Sequence, residues 1–192
     1  MNPQEALNCI KNGNLRFASG KPQAPRRGED RRRETLTTQQ PLAAVLTCSD
    51  SRVAPEILFD QGIGDLFVVR TAGNVADEAA LASLEYAVQH LHVPLVVVMG
   101  HSRCGAVTAA LHGEALEGHL PGLIQRIAPA LEMARHRSGD PLTNAVDAHV
   151  SLTVEQIRTC KPVLALAFQS GKAVLVGARY DLESGKVTFF AA

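Results

Sequence analysis

Ala43-Ala44-Val45-Leu46-Thr47 runs directly into Cys48-Ser49-Asp50-Ser51-Arg52, an apolar stretch that ends in a thiol, a carboxylate and a guanidinium on alternate residues. A second apolar stretch, Leu95-Val96-Val97-Val98-Met99, ends in Gly100-His101-Ser102-Arg103-Cys104. A third, Leu66-Phe67-Val68-Val69, lies between them. All three are continuously apolar rather than alternating, which suits strands of a parallel sheet covered on both faces. Between the second and third strands, Leu81, Leu84, Glu85, Val88 and Leu91 fall at helical spacing within Asp77–His92. Strand, helix, strand, helix is the pattern of an α/β fold.

The flanks extend this reading. Asn2-Pro3 with Glu5 gives a cap, a first-turn proline and a first-turn carboxylate for a helix ending near Gly20. Pro22, Pro25 and Gly28 mark a loop, followed by a short helix around 31–37. Beyond Cys104 a helix over 106–111 is expected. Helical periodicity then runs from His119 to Cys160, with breaks expected at Pro129 and Gly139-Asp140-Pro141 and a long helix over 144–159. Pro162 opens a further helix that Gly171 closes. Strands over 173–176 and 186–190, joined through Glu183-Ser184-Gly185, read as an antiparallel hairpin. The expected architecture is a mainly parallel central sheet of order 2-1-3-4, with an antiparallel edge strand 5, flanked by helices. It forms one domain over 1–192, with an N-terminal helical arm (1–40) and an α/β core (41–192).

Composition excludes several classes. Nineteen basic and nineteen acidic residues cancel, so no overall field favours nucleic acid or an anionic membrane. The arginines at 26, 27, 31, 32 and 33 are interleaved with Glu29 and Asp30 and read as a solvated surface segment. The longest apolar run is far too short to cross a bilayer. The first residues lack the apolar stretch of a secretory signal, so a cytoplasmic location is expected. There, Cys9, Cys48, Cys104 and Cys160 are free thiols or metal ligands rather than disulfides. Cys9 and Cys160 have no ligand pattern nearby and read as packing residues.

In a sheet of order 2-1-3-4 the first and third strands are neighbours, and their connections leave in opposite directions. A crevice opens at their carboxyl ends. That order places Cys48, His101 and Cys104 beside one crevice, with Asp50 and Arg52 on the loop lining it. Two thiolates and an imidazole suit zinc, and three protein ligands leave a fourth tetrahedral position for water or substrate.

Taken together, Cys48-Ser49-Asp50-Ser51-Arg52-Val53, Gly100-His101-Ser102-Arg103-Cys104-Gly105 and Asp65-Leu66-Phe67-Val68-Val69-Arg70-Thr71-Ala72-Gly73-Asn74 resemble the β-class carbonic anhydrases. The resemblance extends from Gly13-Asn14-Leu15-Arg16-Phe17 to the terminal hairpin. It implies reversible hydration of carbon dioxide to bicarbonate and a proton by a zinc-bound hydroxide, with one Zn2+ per subunit on Cys48, His101 and Cys104. Asp50 would accept the hydroxide's hydrogen bond and Arg52 would hold Asp50. Gln39 matches a glutamine that hydrogen-bonds substrate, usually across a dimer interface. Phe67, Ala72 and Tyr86 match positions that line the carbon dioxide pocket from the partner subunit. The backbone amide near Gly105 is a donor for the bound anion. Arg70 and Tyr180 match two of three positions of a regulatory bicarbonate site, but the third, a tryptophan, is Val45 here. A homodimer, or a tetramer made of two dimers, follows from the same resemblance. Two other activities share these ligands: hydrolysis of carbonyl sulfide or carbon disulfide, and zinc binding without turnover. An intact Asp50–Arg52 pair weighs against the last, because a passive site needs no hydroxide acceptor.

Overall fold

A computed structural model describes residues 1–190. Its single sheet has the order β2-β1-β3-β4-β5. β1 (Ala43–Cys48), β2 (Leu66–Thr71), β3 (Leu95–His101) and β4 (Val174–Tyr180) are parallel, and β5 (Val187–Phe189) pairs antiparallel with β4. Every residue of β1 and β3 is buried, which accounts for their unbroken apolar sequence.

The two faces have separate cores. Ala44, Leu46, Val96 and Val98 pack with Leu84 and Val88 of α4 (Glu78–Gln89), Val150 and Ile157 of α7 (Pro141–Thr159), and Leu164 of α8 (Val163–Gln169). Ala43, Val45, Leu95, Val97 and Met99 pack on the other face with Ala6 and Ile10 of α1 (Pro3–Ala18) and Leu58 of α3 (Pro55–Leu58). A third cluster lies at the carboxyl end of the sheet. It joins Cys48 and Cys104 to Val107 of α5 (Gly105–His112), Ile127 and Ala130 of α6 (Leu120–Ala134), and Val146 of α7.

The N-terminal arm lies down on the sheet. Asn2 Oδ1 accepts from the Glu5 N–H and Glu5 Oε2 from the Asn2 N–H, a reciprocal cap that starts α1 at Pro3. Gly13 allows the helix to touch α3, since a Cβ there would sit 1.8 Å from the Phe59 carbonyl oxygen. Asn14 donates to Leu58 O and Gly185 O and accepts from the Val187 N–H, tying the arm to the C-terminal hairpin. Most of the arginines that follow α1, into the short helix α2 (Glu29–Glu34), are paired rather than a free basic face. Arg26 and Arg31 bond Asp65, Arg33 bonds Glu29, and Arg27 reaches Gln61 O.

Several boundaries differ from the sequence expectation. α6 runs unbroken through Pro129, because burial of Ile127, Ala130 and Ala134 outweighs the one N–H that proline lacks. α7 begins at Pro141 rather than 144, with Asp140 Oδ2 accepting from the Thr143 N–H. β4 continues to Tyr180 although Gly177 and Arg179 interrupt its apolar run. Gly177 faces Val150 and Val154 of α7, and Arg179 pairs with Asp147 of the same helix.

Candidate metal centre

The reversal of strand order at β1 puts the ends of β1 and β3 side by side, with Thr47 Oγ1 donating to Met99 O across the junction. Cys48 is the last residue of β1, His101 the last of β3, and Cys104 caps α5. Their ligand atoms lie within 4.8 Å of one another and all three residues are buried. Tetrahedral zinc with Zn–S bonds near 2.3 Å needs sulfurs about 3.8 Å apart, so the cluster matches the scale of such an ion.

Each candidate ligand is prepared by its surroundings. His101 Nδ1 is 2.9 Å from Ser102 O, and a carbonyl only accepts, so the proton sits on Nδ1. Nε2 is left as a lone pair, buried and without a hydrogen-bond partner among the described residues. Such an orphan is costly unless something binds it. Cys48 Sγ accepts from the Asp50 N–H at 3.4 Å and the Gly73 N–H at 3.3 Å. The two thiols act as one unit. Hydrogen bonds from Cys104 and from these backbone amides pull Cys48 toward thiolate against the effect of burial. Its bond to Cys48, burial and the nearby charge push Cys104 up, so that the pair keeps a proton. A dication held here would displace that proton and neutralise the second thiolate.

Asp50 stands beside the cluster, with Oδ2 3.8 Å from His101 Nε2. Arg52 holds it through Nε at 2.9 Å and Nη2 at 2.7 Å, and the Arg52 backbone N–H adds a third bond at 2.9 Å. Hydrogen bonds from the Arg52 side chain keep the Asp50 carboxyl well below the usual carboxylate range. Arg70, on β2, donates from Nε to Cys48 O and from Nη2 to Asp50 O, so it fixes the backbone of the same loop.

The remaining sequence candidates fall into two groups. Ala72 precedes Gly73 in the short turn after β2, and Gly105 opens α5, with open space where a Cβ would stand. Both lie at the carboxyl end of the sheet. Gln39, Phe67 and Tyr86 are not brought to the cluster within one chain. Phe67 is in register with Ala44, whereas Cys48 is level with Thr71, a separation of about 13 Å along the strand. Phe67 stacks near Tyr86 at 6.2 Å between ring centroids, and Tyr86 near His90 at 5.1 Å. Gln39 is exposed on a hollow of about 550 Å³ shared with His90, Leu91 and His92. Arg70 and Tyr180 share one face of the sheet but sit three strands apart, with Tyr180 buried. Sequence reasoning missed Gly73 and Ser102 because both act through backbone groups, which carry no residue signature.

Sheet order and ligand cluster together define a class, an α/β protein with a candidate metal site at the switch point of its sheet. A family model described as carbonic anhydrase matches residues 43–187. The chain is 43% identical over 190 residues to the carbonic anhydrase of Mycolicibacterium smegmatis, covering 97% of this chain and 92% of that one. It is 42% identical to carbonic anhydrase 2 of Mycobacterium tuberculosis, over 96% and 91% of the two chains. Among solved structures, the β-carbonic anhydrase CcaA aligns with a TM-score of 0.75 at 28% identity, over 96% of this chain and 95% of that one. The Coccomyxa β-carbonic anhydrase, solved in complex with acetazolamide, gives 0.73 at 25% identity, over 95% and 83%. The chain belongs to the β-class carbonic anhydrase family. It is an enzyme of that family, and none of its described helices is long and apolar enough to cross a membrane.

Proposed function

We propose that the protein hydrates carbon dioxide reversibly to bicarbonate and a proton, with one zinc ion held by Cys48, His101 and Cys104. The observation that carries this reading is the pairing of a buried three-ligand cluster with a clamped, ionised carboxylate beside it. Zinc in such a shell supplies a Lewis acid that makes water acidic enough to deprotonate near neutral pH, the known behaviour of carbonic anhydrase zinc, whose bound water has a pKa of about 7. The chain's own groups do the rest. His101 offers Nε2 because Ser102 O holds the Nδ1 proton. Asp50 has no proton to give, so its carboxylate only accepts, and a water or hydroxide beside it must turn an O–H toward Asp50 and a lone pair toward the substrate carbon. Arg52 keeps Asp50 charged and pointed.

Gln39, Phe67 and Tyr86 lie far from the cluster of their own chain, which supports their delivery to the cluster of a second copy. The outer edge of β2 carries no strand among the described residues, and its residues are half-buried or, at Arg70, exposed. We therefore take the working unit to be a homodimer at least, and its four free thiols favour the reducing cytoplasm.

Asp50→Asn tests the reading. The amide keeps the volume but loses the charge, and removal of one preorganised partner of a reacting oxygen typically lowers turnover about 100- to 1000-fold. Zinc content should stay at one per chain while stopped-flow hydration falls by that factor. Equal rates in the variant would remove Asp50 from the mechanism, and turnover of carbonyl sulfide without hydration of carbon dioxide would redirect the substrate.

A further inference from the structure

His149 is the other buried histidine beside the cluster, and the ligand shell does not use it. It sits on α7 with 4% of its surface exposed. Burying an imidazole costs free energy unless a partner is supplied. Its partner is the Gly73 carbonyl oxygen, 2.7 Å from Nε2. A carbonyl only accepts, so Nε2 carries the proton and the ring is in a single tautomer. Burial favours the neutral form, which keeps that tautomer, against the opposing pull of the Gly73 bond and the Cys48 charge.

Gly73 is held on two further sides. Its φ of +62° suits a residue without a side chain, and a Cβ would meet Ile127 Cδ1 of α6 at 3.0 Å and Ala106 Cβ of α5 at 3.1 Å. The same residue donates its N–H to Cys48 Sγ at 3.3 Å. With α5 and α6 packed close on its α-carbon and the carbonyl anchored by His149, the N–H has little freedom to turn away from the sulfur. A hydrogen bond to a thiolate withdraws charge that would otherwise reach the metal. Partners beyond the ligands tune metals in this way, and their loss commonly weakens affinity or activity about 10- to 100-fold.

We infer that His149 is a positioning residue that, through Gly73, aims an N–H at the Cys48 thiolate and so sets how much positive charge the bound metal keeps. The inference rests on the zinc reading above. It matters more here than in an all-histidine shell, because two thiolates leave the metal unit formally neutral and the chain must limit their donation. The line His149–Gly73–Cys48 connects α7 to the end of β1 across the turn after β2.

The test uses the full-length protein loaded with cobalt(II), His149→Leu to delete the donor and His149→Gln to supply one from an amide. The expected result for His149→Leu is a sulfur-to-cobalt absorption moved to longer wavelength. Metal retention against a chelator should fall about 10- to 100-fold, and the hydration midpoint should move to higher pH. His149→Gln should return all three toward wild type. A folded His149→Leu protein with the wild-type band and midpoint overturns the inference and leaves the zinc reading standing. Should His149→Leu not fold, cadmium-113-loaded wild-type protein decides by NMR. Through-bond coupling from the metal to the Gly73 amide, with His149 in the Nε2–H form, supports the inference, and absence of either overturns it. Wild-type protein that takes up no divalent metal refutes the zinc reading and this inference together.

Discussion

Gly100 precedes His101 and carries no left-handed torsion, so its backbone would accept alanine; what forbids a side chain is space. A Cβ at that position would lie 2.7 Å from Val150 Cγ2 and 3.0 Å from Val146 Cγ1, both on α7. Carbon atoms in contact settle at about 3.5–4.0 Å, so α7 must retreat or two valines must leave the one rotamer a helix favours. Overpacking of this kind costs about 1–3 kcal/mol. Replacing glycine regains about 0.4–1 kcal/mol from the unfolded chain. Gly100→Ala should therefore destabilise by about 1–2 kcal/mol, or roughly 2–4 °C in Tm per kcal/mol for a chain of this size. Val150→Ala removes the nearer obstruction and leaves a cavity of its own, so it also destabilises when made alone. The double variant should be less damaged than the two losses summed, with a coupling of about 1 kcal/mol or more. Gly122→Ala on α6, where a Cβ meets nothing within 4 Å, is the control and should be neutral or stabilising. Urea unfolding of the four variants and wild type measures all of this. Strict additivity of Gly100→Ala and Val150→Ala, or a Gly100→Ala protein as stable as wild type, would refute the argument that α7 sits too close for any side chain there.

Asp60 is fully buried, and burial by itself would raise its pKa; the N–H groups of Gln23 and Ala24 and the Arg16 guanidinium outweigh this and lower it. Since the folded value lies below the unfolded one, the stabilisation is complete above the unfolded carboxylate value of about 3.9 and disappears as pH falls through the folded value. Asp60→Asn tolerates the same positive φ and should cost about 2–3 kcal/mol at neutral pH, with the difference from wild type vanishing in strong acid; unfolding curves at several pH values will show whether it does. Metal uptake must displace the proton shared by Cys48 and Cys104, so affinity measured against a chelator should weaken as pH falls, and a pH-independent affinity would exclude thiolate ligation. Asn14→Ala leaves the half-buried Val187 N–H and the buried Leu58 O without their partner and should cost about 1–3 kcal/mol, and hydrogen exchange at Val187 should quicken by a comparable factor.

What could be read from the sequence divides along physical lines. The strands at 43–48 and 95–101 were legible because burial on both faces demands unbroken apolar sequence, and their strand ends announced Cys48, His101 and Cys104 as residue types. Asp50 and Arg52 were legible as a neighbouring carboxylate and guanidinium, and the two side chains do bond each other. Where a tertiary partner decides the local outcome, the sequence is silent. Pro129 looked like a break because the packing of Ile127 and Ala130 is written on other helices. β4 looked short because Gly177 and Arg179 answer to α7. His149 carries no motif of its own, since only the approach of α7 to the turn at Gly73 distinguishes it.

The junction of β1 and β3 has a consequence for how the molecule is made. Thr47 and Met99 are 52 residues apart in sequence, and the strands they join are parallel. Pairings of that kind form late and slowly, because the whole intervening chain must be ordered before they repay its loss of freedom. Cys48 and His101 therefore meet only when β1, β2 and α4 are already in place. Until then the emerging chain holds only the local pair His101 and Cys104, three residues apart, and the full cluster of three exists only once the sheet is built. When the cluster becomes complete is thus set by where its three residues lie in the sequence.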